Sequence, residues 1–192
     1  MRKVYQKLWA MFVFTLAVTP VFAQNFFFTD ASESKIQFNP AQRVIQPQKA
    51  RVTELNITAM QRFLQTLPEE FSIRDNRNVA PVMEIPMPDG TIAQFRVWES
   101  VIMEEGLATK YPEIRTYAGQ GITDPAANIR FSMDPYFGFH AQILSPNGTV
   151  YIDPYARGNV QFYQSYFKAD HYKVTNNLCL VEDDQQVPVS NA

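Results

Sequence analysis

The chain of 192 residues carries 17 Lys and Arg against 19 Asp and Glu, a formal net charge of −2, and 46% of its residues are hydrophobic. A chain of this length and hydrophobic content can bury a sizeable core, which excludes wholesale disorder. The charge balance argues against nucleic acid or an anionic membrane as a partner, because both require a basic surface.

The N-terminus has the pattern of a secretory signal peptide over residues 1–23. A basic start is followed by an apolar run over residues 8–18 and by small residues at the −3 and −1 positions, the latter being Ala23. The apolar run is shorter than the roughly 20 residues of a membrane-spanning helix. We therefore expect cleavage between Ala23 and Gln24 and a secreted product, periplasmic or extracellular, that is not held in the membrane. Without the signal the chain has 14 basic and 19 acidic residues, a net charge of −5.

Residues 24–181 are predicted to form one β-rich domain. Asn56 has a side chain suited to capping a helix, and the apolar residues behind it recur at helical spacing up to Pro68, which ends the pattern. This predicts one helix over about 57–67. A short helical turn is predicted over 104–111.

Strand candidates alternate between polar and apolar residues and are bounded by turn residues. Pro88-Asp89-Gly90 and Pro146-Asn147-Gly148 predict tight hairpin turns. The fold class is therefore predicted as β-dominated α+β, with a twisted antiparallel sheet or sandwich and the one helix packed on it. The strand candidates are 24–29, 34–39, 51–55, 79–86, 91–100, 114–118, 128–133, 138–144, 149–153, 161–168 and 178–181, with an extended stretch over 43–49. The polar, acidic end, residues 182–192, is predicted to be a linker or loose tail.

The sequence contains no recognisable catalytic constellation. The two histidines, His140 and His171, are far apart, and neither belongs to a His-Glu-x-x-His motif, whose spacing places two zinc-binding imidazoles on one helix face. His140 lies in an alternating segment and is interpreted as a surface or core packing residue. The sequence has no Gly-x-Ser-x-Gly elbow, no supported Cys-His pair and no glycine-rich phosphate loop. We predict no catalytic residue, no cofactor and no enzymatic activity.

Two other groups have simple structural explanations. Adjacent carboxylates on loops are usually solvated charges, and an aromatic run that could stack on a ligand is also explained by an amphipathic edge strand in a β core. These groups are Glu104-Glu105 and Asp183-Asp184 for the carboxylates, and Phe162, Tyr163, Tyr166 and Phe167 for the aromatic run.

Cys179 is the single cysteine, so no disulfide can form within the chain. A thiolate is a strong zinc ligand. Cys179 could therefore occupy the open coordination position of a zinc held by a partner protease and block its water. The alternative is a small buried hydrophobic residue between Leu178 and Leu180.

The stretch from Phe95 to Tyr155 resembles the N-terminal prodomain of secreted reprolysin-like zinc metallopeptidases of Bacteroidetes-type bacteria. The resemblance covers nearly the whole mature chain. It is carried by Phe95-Arg96-Val97 with Glu99-Ser100, by Pro112-Glu113-Ile114-Arg115-Thr116-Tyr117 with Gly119-Gln120-Gly121, by Gly138-Phe139-His140 and by Tyr151-Ile152-Asp153-Pro154-Tyr155.

The resemblance implies a propeptide function: keeping a zinc metallopeptidase latent, assisting its folding, or both. The partner would be the catalytic domain, in cis in a longer precursor or in trans. Because these 192 residues contain no His-Glu-x-x-His motif, peptidase activity is not implied for them. A different class of function stays open, namely a secreted or surface β-module for protein binding or adhesion.

Overall fold

The computed structural model of the protein describes residues 27–171. The predicted signal peptide, the cleavage site between Ala23 and Gln24, the strand at 178–181, Cys179 and the acidic tail lie outside the described residues. No helix within the described part is long and apolar enough to cross a membrane.

The described residues form one nine-stranded sheet in which every neighbouring pair of strands is antiparallel. The prediction of a β-dominated α+β fold is confirmed, with a single sheet rather than a sandwich. The order is β1-β2-β9-β8-β7-β6-β5-β4-β3. The strands are β1 (Phe28–Asp30), β2 (Arg51–Leu55), β3 (Val82–Pro86), β4 (Ile92–Glu99), β5 (Arg115–Gly121), β6 (Asn128–Asp134), β7 (Gly138–Ser145), β8 (Gly148–Pro154) and β9 (Phe162–Phe167).

Both predicted hairpin turns are present and fix the register of their strands. Gly90, between β3 and β4, has φ of 89°, and Gly148, at the start of β8, has φ of 124°, a region that favours glycine. Beside Gly90, the Asp89 carboxylate accepts hydrogen bonds from the Thr91 hydroxyl and amide at 2.6 and 3.0 Å. These bonds stabilise the charged form, so the pKa of Asp89 lies below its usual value.

The predicted helix is shorter than expected. Helix α1 spans Ile57–Leu64, and the Asn56 side chain accepts from the amide of Ala59 at 3.0 Å, as an N-cap does. The expected end at residue 67 is wrong: Leu67 bonds to the carbonyl of Leu64 in a tighter turn at 3.3 Å. Pro68 explains the difference, because proline disfavours helical backbone in the residue before it. The predicted helical turn is α2 (Glu105–Lys110).

Two other predictions from the pattern were wrong. Residues 34–39 form no strand; short 3-10 turns occupy Glu33–Lys35 and Pro40–Gln42. The second turn begins at Asn39, whose side chain accepts from the Ala41 amide at 3.0 Å, a local bond that competes with strand pairing. The aromatic strand at 162–167 is not an edge strand, because β9 pairs with both β2 and β8.

The main core fills the concave side of the curled sheet, and α1 packs into it through Met60 and Leu64. Gly119 lies at a close approach in this core, since a Cβ there would come within 2.7 Å of the Arg96 carbonyl oxygen and 2.8 Å of Ile129. The sheet curls far enough for Arg51 on β2 to donate to the carbonyl of Thr91, after the β3–β4 turn, at 2.8 Å. Arg51 also pairs with Asp30 at 2.6 Å.

The convex side of the sheet is covered at two separate places. The segment after β1 packs Ile36 against Val52, Tyr155 and Ala156. The segment after α1 packs Ile73 and Ala80 against Trp98 and Ala118. Between these two covers, the convex face of β5 to β8 is left open, and this opening is where the candidate site lies.

Candidate functional site

The open part of the convex face forms a groove of about 560 Å³. Its polar side chains come from four neighbouring strands and stand on the face opposite the core, as the alternation of each strand requires. We call this surface the polar groove: Thr116, Arg130, Ser132, His140, Gln142, Tyr151 and Asp153. Ile102, from the β4–β5 connection, lies at its margin.

His140 and Asp153 form the ion pair of the groove. The Nδ1 atom of His140 lies 2.8 Å from Asp153 Oδ1, and Nε2 lies 3.1 Å from the carbonyl oxygen of Phe137. Tyr166 donates its hydroxyl to Asp153 Oδ2 at 2.7 Å. Both ring nitrogens of His140 therefore face acceptors, which favours the doubly protonated ring. The hydrogen bond to Asp153 raises the pKa of His140, against the opposing effect of partial burial.

A second, more apolar cavity of about 370 Å³ adjoins the polar groove at His140 and Asp153. It lies between the segment that covers β8 and β9 and the connection after β8. Its apolar walls come from Val44, Ile45, Phe137, Pro154 and Ala156. The ion pair thus stands between a polar and an apolar depression.

The groove contains a serine, a histidine and an aspartate on adjacent strands, but not in the geometry of a nucleophile. Ser132 lies opposite His140 in the β6–β7 register. Within residues 27–171, no hydrogen bond joins the Ser132 hydroxyl to the imidazole, whose Nε2 is directed at the Phe137 carbonyl instead. A base that activates serine needs that nitrogen free to accept the hydroxyl proton. The arrangement therefore positions His140 rather than activating Ser132.

Arg130 is the exposed cation of the groove. Its Nη1 donates to Ser100 Oγ at 3.0 Å, and Ser100 in turn donates to Glu70 Oε2 at 2.7 Å. Among the described residues, Arg130 has no carboxylate within ion-pair distance, and its Nε and Nη2 groups have no hydrogen-bond partner. The cross-strand neighbour of Arg130 is Gln142, which donates to the Tyr151 hydroxyl at 3.2 Å.

Exposed apolar side chains lie at one end of the sheet, on the β4–β5 connection and the β6–β7 turn. Six of them are between 41% and 71% exposed. Clusters of this kind are typical of interaction surfaces. We call them the apolar rim: Val101, Ile102, Leu107, Ile114, Tyr136 and Phe137.

The residues singled out in the sequence take different positions. His140 was expected to pack on the surface or in the core; it lies half-buried in the groove with a charged partner. The ring of His171 lies 5.8 Å from that of Tyr166. In the aromatic run, Tyr163 points into the core, where burial raises its pKa to about 12, whereas Tyr166 points to the convex face. Glu104 and Glu105 are exposed at the start of α2.

Metal binding has no support from side chains that gather in the described part of the chain. Within residues 27–171 no three His, Cys, Asp or Glu side chains lie close enough to hold a metal ion together. Cys179, the one residue proposed as a zinc ligand, and Ala23 and Gln24, the predicted cleavage pair, lie outside that range.

The His140–Asp153 pair was missed in the sequence, although a signal for it existed. The hairpin turn at 146–148 was predicted, and in the structure Ser145 pairs with Gly148. Counting outward from that pair places His140 opposite Asp153. The register of one predicted hairpin was thus sufficient to find the ion pair. Arg130 could not be found in this way, because the β6–β7 turn was not recognised.

The geometry defines the class of molecule: a curled antiparallel sheet with a filled concave side and an open, polar convex face. Comparison of the chain with protein-family models, with curated proteins and with solved structures gives no match.

Proposed function

We propose that the protein is a propeptide-like domain that binds a secreted reprolysin-like zinc metallopeptidase and keeps it latent, assists its folding, or both. One observation carries the proposal. Four polar residues of the stretches that carry the resemblance come from three separate strands and line one groove: Thr116, His140, Tyr151 and Asp153. A contact surface is what a propeptide needs, and separate motifs converging on it support that reading.

The path of the chain also supports the proposal. Phe167 ends β9, and His171, the last described residue, packs its ring 5.8 Å from that of Tyr166, which is bonded to Asp153 in the groove. His171 therefore lies beside the groove. Cys179 is eight residues further along the chain, a span of about 29 Å at most when extended. In this proposal its thiol blocks the zinc of the docked peptidase.

The proposal is tested with the full chain, exported from a bacterial host, and the reprolysin-like catalytic domain encoded in the source genome. We expect the chain to inhibit hydrolysis of a fluorogenic peptide in a saturable manner. If Cys179→Ala inhibits as well as the parent chain, the thiol takes no part in the inhibition, although docking of the domain on the peptidase still does. Full peptidase activity in excess chain, together with unassisted refolding of the catalytic domain at the same yield, would contradict the proposal. So would a source genome that encodes no such catalytic domain.

A second candidate is a secreted or surface β-module for protein binding or adhesion. The observation that favours it is the β6–β7 turn, where Tyr136 and Phe137 are 70% and 67% exposed. Aromatic side chains at a loop tip are suited to contact with a broad range of surfaces. This function predicts binding to intact cells or matrix proteins that is lost in Tyr136→Ala and Phe137→Ala, with no effect on the peptidase.

A further inference from the structure

We propose that the polar groove recognises an extended segment of the partner that presents a carboxylate to Arg130 and an apolar side chain to the adjacent rim. This inference rests on the proposed function and specifies the chemistry of the docking surface. It is drawn from the hydrogen-bond balance of the groove and from the placement of the apolar rim.

The unpaired hydrogen-bond donors of the groove are concentrated on Arg130. Both carboxylate oxygens of Asp153 are already engaged, one by His140 and one by Tyr166. Arg130 donates only through Nη1 within the described residues, which leaves Nε and Nη2 for a ligand. Tyr151 accepts from Gln142 at 3.2 Å, a bond that does not use its own hydroxyl proton. A ligand that pairs with Arg130 must bring acceptors.

Charge leads to the same ligand. Asp153 is already bonded to the His140 ring, whereas Arg130 makes no ion pair within the described residues and reaches the Glu70 carboxylate only through Ser100. Arg130 is therefore the exposed positive charge that the groove offers to a partner, although the whole chain is acidic. Arginine recognises carboxylates through paired N–H donors, and such charge-assisted bonds are among the strongest available to a protein surface.

The apolar rim indicates that the bound segment also carries an apolar side chain. Ile102 is 71% exposed and borders the groove on the side of the β4–β5 connection. Phe137 is 67% exposed at the turn that leads into β7 and lines the apolar cavity next to His140. A segment whose carboxylate reaches Arg130 places its neighbouring side chains against one of these two residues. An acidic residue close to an aliphatic or aromatic one is thus the predicted pattern.

The test measures binding of the full chain to the reprolysin-like catalytic domain of the source genome, made inactive by a Glu→Gln change in its His-Glu-x-x-His motif. Biolayer interferometry gives Kd at 150 mM and 500 mM NaCl. We expect Arg130→Gln to raise Kd by about 10- to 100-fold at the lower salt, as loss of a charged hydrogen bond does, and by less at the higher salt. Arg62→Gln, an exposed arginine on α1, removes the same charge and should change Kd less than about twofold.

Gln142→Glu provides a second variant that does not depend on removing Arg130. It places a carboxylate across the β6–β7 pair from Arg130, so the guanidinium is satisfied internally and Kd should rise about as much as in Arg130→Gln. Circular dichroism and the melting temperature check that both variants fold.

Two outcomes overturn the inference and differ from failure of the proposed function. If the parent chain binds and both groove variants bind equally well, docking stands but uses another surface. The second outcome concerns the acidic tail, neutralised in the triple variant Glu182→Gln/Asp183→Asn/Asp184→Asn. If this variant lowers Kd more than about threefold, and does so only when Arg130 is present, the groove accepts the acidic tail of this chain rather than the partner. If the parent chain does not bind at all, both proposals fall together.

Discussion

Ser165 on β9 donates its hydroxyl to the carbonyl of Pro86, at the end of β3, over 2.7 Å. Five strands separate β9 from β3 in the order of the sheet. The bond therefore crosses the concave side and ties one end of the sheet to a strand near the other end. Ser165 is fully buried, so neither partner can exchange this bond for one with water.

Replacing Ser165 with alanine should lower the free energy of unfolding by about 1–3 kcal/mol, because the Pro86 carbonyl would be left buried without a donor. Ser72 offers a matched control, since its hydroxyl makes a bond of the same length, 2.7 Å, to the Glu69 carbonyl in an exposed turn. Ser72→Ala should cost well under 1 kcal/mol. Urea denaturation of the parent protein, Ser165→Ala and Ser72→Ala measures the free energy of unfolding of each. Equal losses in the two variants would show that the buried bond across the sheet stabilises the fold no more than the exposed bond in the turn.

Phe139→Ala should destabilise the fold by about 3–5 kcal/mol, as large-to-small changes in a packed core do. The ring is fully buried on β7 and meets the rings of Phe28, Phe131 and Tyr163 with centroids 5.5–6.1 Å apart. Phe71 is 77% exposed, so Phe71→Ala removes the same atoms with little effect on stability. A cost below about 1 kcal/mol for Phe139→Ala would contradict the described core.

Gly138→Ala and Gly90→Ala separate backbone strain from crowding. Both glycines have positive φ, 82° and 89°, but a Cβ at Gly138 would meet the Tyr163 hydroxyl at 2.7 Å, whereas nothing lies within 4 Å at Gly90. Strain alone costs about 1–2 kcal/mol, so Gly90→Ala should lose about that much and Gly138→Ala clearly more. Thermal denaturation measures both changes. The loss of stability in Gly138→Ala beyond that in Gly90→Ala should become smaller when Gly138→Ala is combined with Tyr163→Phe, which removes the hydroxyl. If it stays the same, the Tyr163 hydroxyl is not its cause.

Asp153→Asn should lower the pKa of His140, because the carboxylate hydrogen bond is the largest cause of the raised value. An NMR titration can follow His140 directly, since the chain has two histidines. A His140 pKa that is higher in the folded than in the unfolded protein stabilises the fold at low pH. This stabilisation is complete below the usual histidine pKa of about 6.5 and is lost as the pH rises through the pKa of the folded state.

As the pH rises from 6 to 8, the free energy of unfolding of the parent protein should therefore fall more than that of Asp153→Asn. The loss should stay within about 0.2–1 kcal/mol, as for other partly exposed pairs, since the His140 side chain is 41% exposed. His140→Gln should remove the pH-dependent difference. A His140 pKa that does not move in Asp153→Asn would contradict the described pair.

Much of the sheet could be predicted from the sequence because its hairpins are local. Asp89-Gly90 and Asn147-Gly148 predict two of the turns. The alternation of polar and apolar residues along the flanking strands then indicates which side chains face the core. The pairing of β2 with β9 could not be predicted, because these strands are about 110 residues apart and no local pattern records a contact between them. The error about residues 34–39 has the same origin: Ile36 satisfies the apolar pattern by packing onto the convex face at Val52.

The polar groove was beyond prediction for a related reason. Each of its residues has the polar character expected of any solvent-facing strand position, so the composition of one strand gives no signal. The groove exists because two distant segments cover the convex face on either side and leave its centre open. Which part of a face stays uncovered is a property of the tertiary structure.

The two ends of the sheet also bear on how the folded molecule behaves when crowded. β1 is only three residues long, and on β3 both Met83 and Ile85 are fully buried, backbone included, before Pro86, which has no N–H to offer. A neighbouring copy therefore finds little free main chain with which to continue the ladder. We expect the native protein to resist β-aggregation at high concentration, even though nine strands make up most of its architecture.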